Sequence, residues 1–201
     1  MDISIVILAA GASSRMGSPK QLLNWGEDIL LNHAINTALE VGNSEVLVVL
    51  GANQEIIKKA IQSNSIVILQ NDEWKKGLGK SIACAVNYIL KSKPQTQGVL
   101  ITLADQPLMN TDYLNKMISS FSSNENQIIA TLYDNNIKGV PVLFDKIYFQ
   151  ELSNLIGDDG AKKLLKAHEY SVKTLKPPLK NVDLDSKEDY EKLHKENFKT
   201  K

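Results

Sequence analysis

Leu8-Ala-Ala-Gly-Ala-Ser-Ser-Arg-Met-Gly-Ser-Pro-Lys20 follows without a break from the apolar run Ile3–Leu8. The run reads as a buried strand, and the glycines, serines, arginine and lysine after it read as a loop that ends where Gln21-Leu22-Leu23 begins. Small residues at Ala9, Ala10 and Gly11 let backbone N–H groups come close to a phosphate, while Arg15 and Lys20 supply cations. Two familiar phosphate loops fail on spacing. A Walker loop needs four residues between its glycines and then Lys-Ser or Lys-Thr, whereas five separate Gly11 from Gly17 and Lys20 precedes Gln21. A dinucleotide fingerprint needs a second glycine two residues after the first, and position 13 is Ser13.

The whole chain sets the frame for this loop. Its 201 residues suit one α/β domain that buries roughly 70% of its unfolded surface, so a single domain over residues 1–201 is expected. The 23 basic and 23 acidic residues cancel, which leaves no global field for nucleic acid or an anionic membrane and makes any anion site local. Cys84 is the sole cysteine and cannot form an intramolecular disulfide. No basic region precedes the first apolar run, and the longest wholly apolar run, Ile5–Ala10, is far below the ~20 residues of a membrane helix. A cytoplasmic protein is expected.

Beyond the loop, strand and helix patterns alternate. From Asp28, helical spacing places Ile29, Leu30, His33, Ala34, Thr37 and Ala38 on one face, with Gly42 as the stop; His33 there reads as a satisfied core residue. Val46–Leu50 lacks alternation, as a parallel strand buried on both faces does. A helix at Glu55–Ile61, a strand at Ile66–Leu69 and a helix running to about Lys91 follow, the order of a doubly wound fold. Gln70–Ser81 is a second loop of interest, with Gly77, Gly79 and Ser81; the bland reading is that the glycines turn the chain and Ser81 caps a helix.

Gly98–Ala104 is a further strand, ending at Asp105-Gln106-Pro107. Ligands of open α/β sheets bind beyond the carboxyl ends of the strands, so Asp105 would face the first loop and suit a metal. Helices follow at Thr111–Phe121, Phe149–Leu155 and Ala161–His168, while Ile128–Tyr133 and Val140–Phe144 flank a late hairpin. Asp158 and Asp159 read as acids at a helix N-terminus. Val172–Leu175 is a short apolar run. In Val182-Asp183-Leu184-Asp185, period-two alternation puts both acids on one face of a short strand, and Ser186 with Asp189 forms a capping box. No Ser-His-Asp or Cys-His set stands out, and zinc spacing is absent.

The first loop resembles the signature L-A-A-G-x-S-x-R-M-G-x-x-K of the nucleotidyltransferase superfamily, in particular its MobA-like branch of molybdopterin cytidylyltransferases and guanylyltransferases. Further likenesses are N-x-x-W-x-x-G-x-x-x-S at Asn71–Ser81, L-A-D-x-P at Asp105, G-x-P at Gly139–Pro141, G-D-x-G-A-x-x-L-L from Gly157, and D-x-D from Asp183, where Ser-Lys replaces Thr-Pro. The resemblance implies a Rossmann-like three-layer αβα fold with a mostly parallel sheet and the late hairpin. It further implies nucleotide contacts at Leu8, Ala9, Ala10, Gly11, Gly51, Asn71, Gly77 and Ser81, catalytic roles for Arg15, Lys20 and Asp105, and Mg²⁺ on Asp105 and Asp185. Ala9-Ala10 with Gln21-Leu22-Leu23 is more similar to the CTP-using enzymes than to the GTP-using ones. The expected reaction moves CMP from CTP to the terminal phosphate of molybdopterin and releases pyrophosphate. GTP, another phosphorylated acceptor, or an accessory protein carrying cofactor to a molybdoenzyme are the alternatives.

Overall fold

The computed structural model describes residues 1–14, 16–177 and 183–198 and, of Asn135, the backbone alone. In chain order the elements are β1 (Ile3–Ala9), β2 (Asn24–Trp25), β3 (Asp28–Ile29), α1 (Leu30–Leu39), β4 (Glu45–Leu50), α2 (Gln54–Ala60), β5 (Val67–Gln70), α3 (Leu78–Ser92), β6 (Gly98–Leu103), α4 (Thr111–Ser119), β7 (Ile128–Leu132), β8 (Lys138–Asp145), α5 (Phe149–Leu152), α6 (Lys162–Ala167), β9 (Val172–Leu175) and α7 (Lys187–Asn197).

Among the described residues the main sheet has the order β5-β4-β1-β6-β8-β7-β9. Strands β4, β1 and β6 run parallel in register, with Ile5 opposite Val46 and Leu100. Strand β8 alone runs against its neighbours β6 and β7, and β9 continues parallel to β7. The late hairpin is thus an integral part of the sheet rather than an appendage. Its second strand, longer than the sequence suggests, slots between β6 and β7, with a register shift at Ala130/Thr131.

The continuous apolar runs have a direct cause, since the sheet is covered on both faces. Ile5 and Ile7 point toward Leu31, Ile35, Ile57, Leu114 and Met117. Val6 and Leu8 join Ile82, Val86, Ile89, Leu152 and Leu164 on the opposite side. Truncating any of these fully buried side chains to alanine costs about 2–5 kcal/mol. No helix among the described residues is long and apolar enough to cross a membrane.

Three expectations need correction. Helix α1 faces the sheet with Leu31, Ile35 and Ala38, not with the stripe through His33 and Thr37. Ile29 is drawn into a two-stranded ribbon opposite Asn24, which delays the helix, while Leu30 turns toward Trp25, Leu184 and Leu193. Burial on two sides rotates the apolar stripe; His33 is half-buried, with Nε2 3.0 Å from the Pro107 carbonyl. Second, Asp183–Asp185 is not a strand; its anchoring comes from Leu184, fully buried in that third cluster. Val182, also assigned to the strand, lies outside the described residues. Third, α6 starts at Lys162 with no side-chain cap, so Asp158 and Asp159 do not cap it through their carboxylates; Asp159 instead pairs with Lys163 at 3.2 Å.

Candidate active site

Strands β4 and β5 lie to one side of β1 and β6 to the other. The chain reverses its winding between β1 and β6, and a crevice opens beyond their carboxyl ends. Backbone hydrogen bonds tie the strand ends together there: Ala104 N–H donates to the Leu8 carbonyl at 3.2 Å, Ala52 to Ala10 at 3.0 Å and Asn71 to Leu50 at 2.8 Å. The crevice is a cavity of about 430 Å³, within the range of small-molecule sites. Leu8, Ala9, Ala10 and Gly11 line it, and so do Lys20, Gly77, Ser81, Asp105 and Asp185. Segments more than a hundred residues apart in sequence therefore converge on one space.

Gln21, which entered the sequence reading only as part of the Gln21-Leu22-Leu23 run and its resemblance, sets the shape of the first loop. It is buried, and its Nε2 donates to the carbonyls of Ala9 at 2.8 Å and Gly11 at 3.0 Å. The Lys20 N–H donates to Ser13 Oγ at 3.0 Å. These bonds close the loop on itself and deliver Lys20 to the cavity. Arg15 lies outside the described residues.

Lys20 Nζ donates to Asp105 Oδ2, lies 3.7 Å from Asp185 Oδ1 and donates to the Leu184 carbonyl at 3.4 Å. Asp105 is buried, and its Oδ1 has no hydrogen-bond partner among the described residues. Burial pushes its carboxyl above the usual range, the adjacent Lys20 ammonium pulls it back, and Asp183 adds to the rise. Gln106 holds Asp183, with Nε2 2.7 Å from Asp183 Oδ1 and 3.2 Å from the Tyr133 hydroxyl. One buried amide thereby links the acidic segment to the hairpin. Asp183 and Asp158 also line the cavity.

The second loop is built by close packing. A Cβ on Gly77, whose φ is +98°, would lie 2.3 Å from the Gly157 carbonyl carbon, and Gly79 N–H donates to the Gly157 carbonyl at 2.9 Å. Gly157 N–H returns a bond to the Lys76 carbonyl at 2.9 Å, so the two glycine-containing loops lock together. Ser81 lies inside α3 rather than at its cap; its Oγ accepts from Asn71 Nδ2 at 3.0 Å.

Gly51 and Asn71 do not themselves line the cavity. Asn71 steadies Ser81 from behind. Gly51 admits Trp74 and Ala10, since a Cβ there would meet the Trp74 Cβ at 2.6 Å and the Ala10 Cβ at 2.9 Å. Trp74, Leu78, Leu103 and Ala104 supply an apolar wall that sequence reasoning passed over. Cys84 is half-buried, and burial pushes its thiol up, away from nucleophilic use.

Chemically, an apolar wall beside a small-residue loop, facing carboxylates and an ammonium, suits a nucleotide: base and ribose against the wall, phosphates toward the loop and the charges. Comparison with known proteins agrees. The MobA-like NTP transferase domain model matches residues 5–172. A molybdenum cofactor cytidylyltransferase of Escherichia coli K12 is 28% identical over 94% of this chain and 93% of its own. The crystal structure of an Rv0371c homologue from Mycobacterium sp. strain JC1 superposes with a TM-score of 0.84 at 26% identity, covering 96% of each chain. Rv0371c of Mycobacterium tuberculosis H37Rv in complex with manganese gives 0.80 at 24%, over 97% of this chain and 99% of that one. A model matched across the sheet and both loops places the chain in a family, and the protein is a nucleotidyltransferase belonging to the MobA-like NTP transferase domain family.

Proposed function

We propose that the protein transfers CMP from CTP to the terminal phosphate of molybdopterin, with release of pyrophosphate. The observation that carries this reading is the meeting of the Leu8–Gly11 loop with Lys20, Asp105 and Asp185 in one cavity at the switch point of the sheet. CTP and molybdopterin are favoured by the likeness to the Escherichia coli molybdenum cofactor cytidylyltransferase and by the Ala9-Ala10 and Gln21 pattern.

The acceptor brings its own nucleophile. A terminal phosphate oxygen attacks the α-phosphorus in line, the new P–O bond forms, and the bond from the α-phosphorus to the bridging oxygen breaks with pyrophosphate leaving. The protein's work is positioning and charge compensation. Backbone groups of Leu8, Ala9, Ala10 and Gly11 seat the nucleotide, with Gly77 and Ser81 across the cavity and Gly51 and Asn71 holding that wall in place. Lys20, with Arg15, offsets charge gathering on the α-phosphate and the departing pyrophosphate.

A divalent ion fits the donor set. Asp105 has a buried oxygen without a partner among the described residues, and Asp185 lies across Lys20 from it. Mg²⁺ takes one or two carboxylates and completes its shell with phosphate and water, so these two acids are enough. When bound it would supply Lewis-acid neutralisation of the triphosphate. The reading is tested by pyrophosphate release with Mg²⁺ and molybdopterin, CTP and GTP supplied separately. Release with CTP alone is expected; release with GTP alone would reassign the nucleotide, and silence with both would overturn the reading.

A further inference from the structure

The two carboxylates read as metal ligands face a cation, and it is one of the chain's own. Lys20 Nζ meets Asp105 Oδ2, lies 3.7 Å from Asp185 Oδ1 and reaches the Leu184 carbonyl at 3.4 Å. The backbone of Lys20 is fixed, by the bond from its N–H to Ser13 Oγ and by the short helical turn Lys20–Leu22. The side chain is not: it retains 19% exposure and four rotatable carbons that carry a compact, mobile charge.

Position gives this side chain a second destination. Lys20, Gly11 and Asp185 line the main cavity and also a smaller one of about 150 Å³, walled among the described residues by Ser13, Ser14 and Met16 as well. Lys20 therefore stands between the carboxylates and the hydroxyl-lined underside of the first loop. With the ammonium on Asp105 Oδ2 and a divalent ion on the neighbouring Oδ1, two cations would crowd one carboxylate and repel each other, and a lysine held by Asp105 is not free to meet phosphate.

We propose that Lys20 is an internal placeholder for the divalent cation: it holds Asp105 and Asp185 until nucleotide phosphates draw it away. The proposal rests on the metal reading of Asp105 and Asp185 above. It follows that the ion alone binds poorly and that the ion–nucleotide complex is the species taken up, because phosphate and metal affinities are linked through one side chain.

Manganese binding followed by electron paramagnetic resonance, without turnover, separates the outcomes. Wild type, Lys20→Met and Lys20→Arg are titrated with Mn²⁺, each with and without α,β-methylene-CTP. The expected result is that Lys20→Met binds Mn²⁺ alone roughly tenfold or more tightly than wild type, while Lys20→Arg, which keeps the charge, stays weak. The analogue should strengthen Mn²⁺ binding in wild type more than in Lys20→Met. Equal affinity of wild type and Lys20→Met for Mn²⁺ alone, with tight binding of both once analogue is present, would overturn the placeholder and leave the metal reading standing. Absence of Mn²⁺ binding by wild type even with analogue would overturn both. Should Lys20→Met not fold, Lys20→Gln serves in its place, with the same expectation.

Discussion

The backbone N–H of Leu184 donates to the carbonyl of Asp105 at 3.1 Å. This single bond stitches a segment near the end of the chain onto the carboxyl end of β6, and it brings Asp183 and Asp185 to the cavity that Asp105 closes. The acidic side of the site is thus made from two pieces of chain joined outside the sheet. Its geometry depends on what holds those pieces together.

Gln106 is the other fastener. Replacing it with leucine removes the amide bonds to Asp183 and the Tyr133 hydroxyl while keeping the volume. The loss of the hydrogen bonds should cost about 1–3 kcal/mol of stability, and apparent affinity for the metal–nucleotide complex should fall. Calorimetric titration of Gln106→Leu with CTP and Mn²⁺ checks this; affinity equal to wild type would show that Leu184 alone anchors the segment.

Asp105→Asn should abolish transfer yet leave stability at neutral pH within about 1 kcal/mol of wild type, because burial already disfavours the charged carboxyl. The sign of the pH effect follows. A carboxyl whose folded value lies above its unfolded value of about 3.9 binds protons more tightly when folded. It therefore lowers stability as pH rises from the unfolded value through the folded one. Urea unfolding from about pH 4 upward should show that decline in wild type and less of it in Asp105→Asn. Identical pH profiles would contradict the burial argument.

Gln21→Ala strips both side-chain bonds that hold the Ala9 and Gly11 carbonyls. The buried Ala9 carbonyl and the more exposed Gly11 carbonyl lose this donor, which should cost about 1–3 kcal/mol and raise the KM for nucleotide. Gln21→Glu should be worse, since a carboxylate cannot donate to those carbonyls. Steady-state kinetics with thermal unfolding resolves the two effects.

Gly77→Ala tests the lock between the two glycine-containing loops. At φ +98° and with a Cβ 2.3 Å from Gly157, the substitution requires backbone displacement and should cost about 1–3 kcal/mol or more. Nucleotide affinity should fall alongside. Gly11→Ala, where a Cβ meets nothing within 4 Å, is the contrasting variant and should leave stability nearly unchanged.

Much of this architecture is legible in the sequence because central parallel strands announce themselves. Ile3–Ala9 and Glu45–Leu50 are apolar on both faces for one reason, the two helical layers that cover them. The capping box at Ser186 is equally local, and it forms as read, with Asp189 N–H 3.1 Å from Ser186 Oγ. What escaped depends on long-range packing. The face of α1 is rotated by Trp25 and Leu184, residues that no periodicity within the helix can register. Gln21 looks like an ordinary polar residue until the loop folds back over it. Asp158 looks like a helix cap because its neighbours do, yet it lines the cavity, since Gly157 is committed to Gly77 and Gly79. The placement of Lys20 against the carboxylates was equally hidden, because spacing along a chain says nothing about which of two partners a lysine chooses.

The central claim is nucleotidyl transfer at the cavity between β1 and β6, and its most direct measurement follows the fate of the label. CTP labelled at the α-phosphate is incubated with Mg²⁺, molybdopterin and wild-type protein or Asp105→Asn, and the products are separated. With wild type, label should appear in the acceptor together with an equal amount of pyrophosphate, and the variant should transfer none. Label remaining in CTP or appearing as free CMP, or transfer by Asp105→Asn at the wild-type rate, would contradict it.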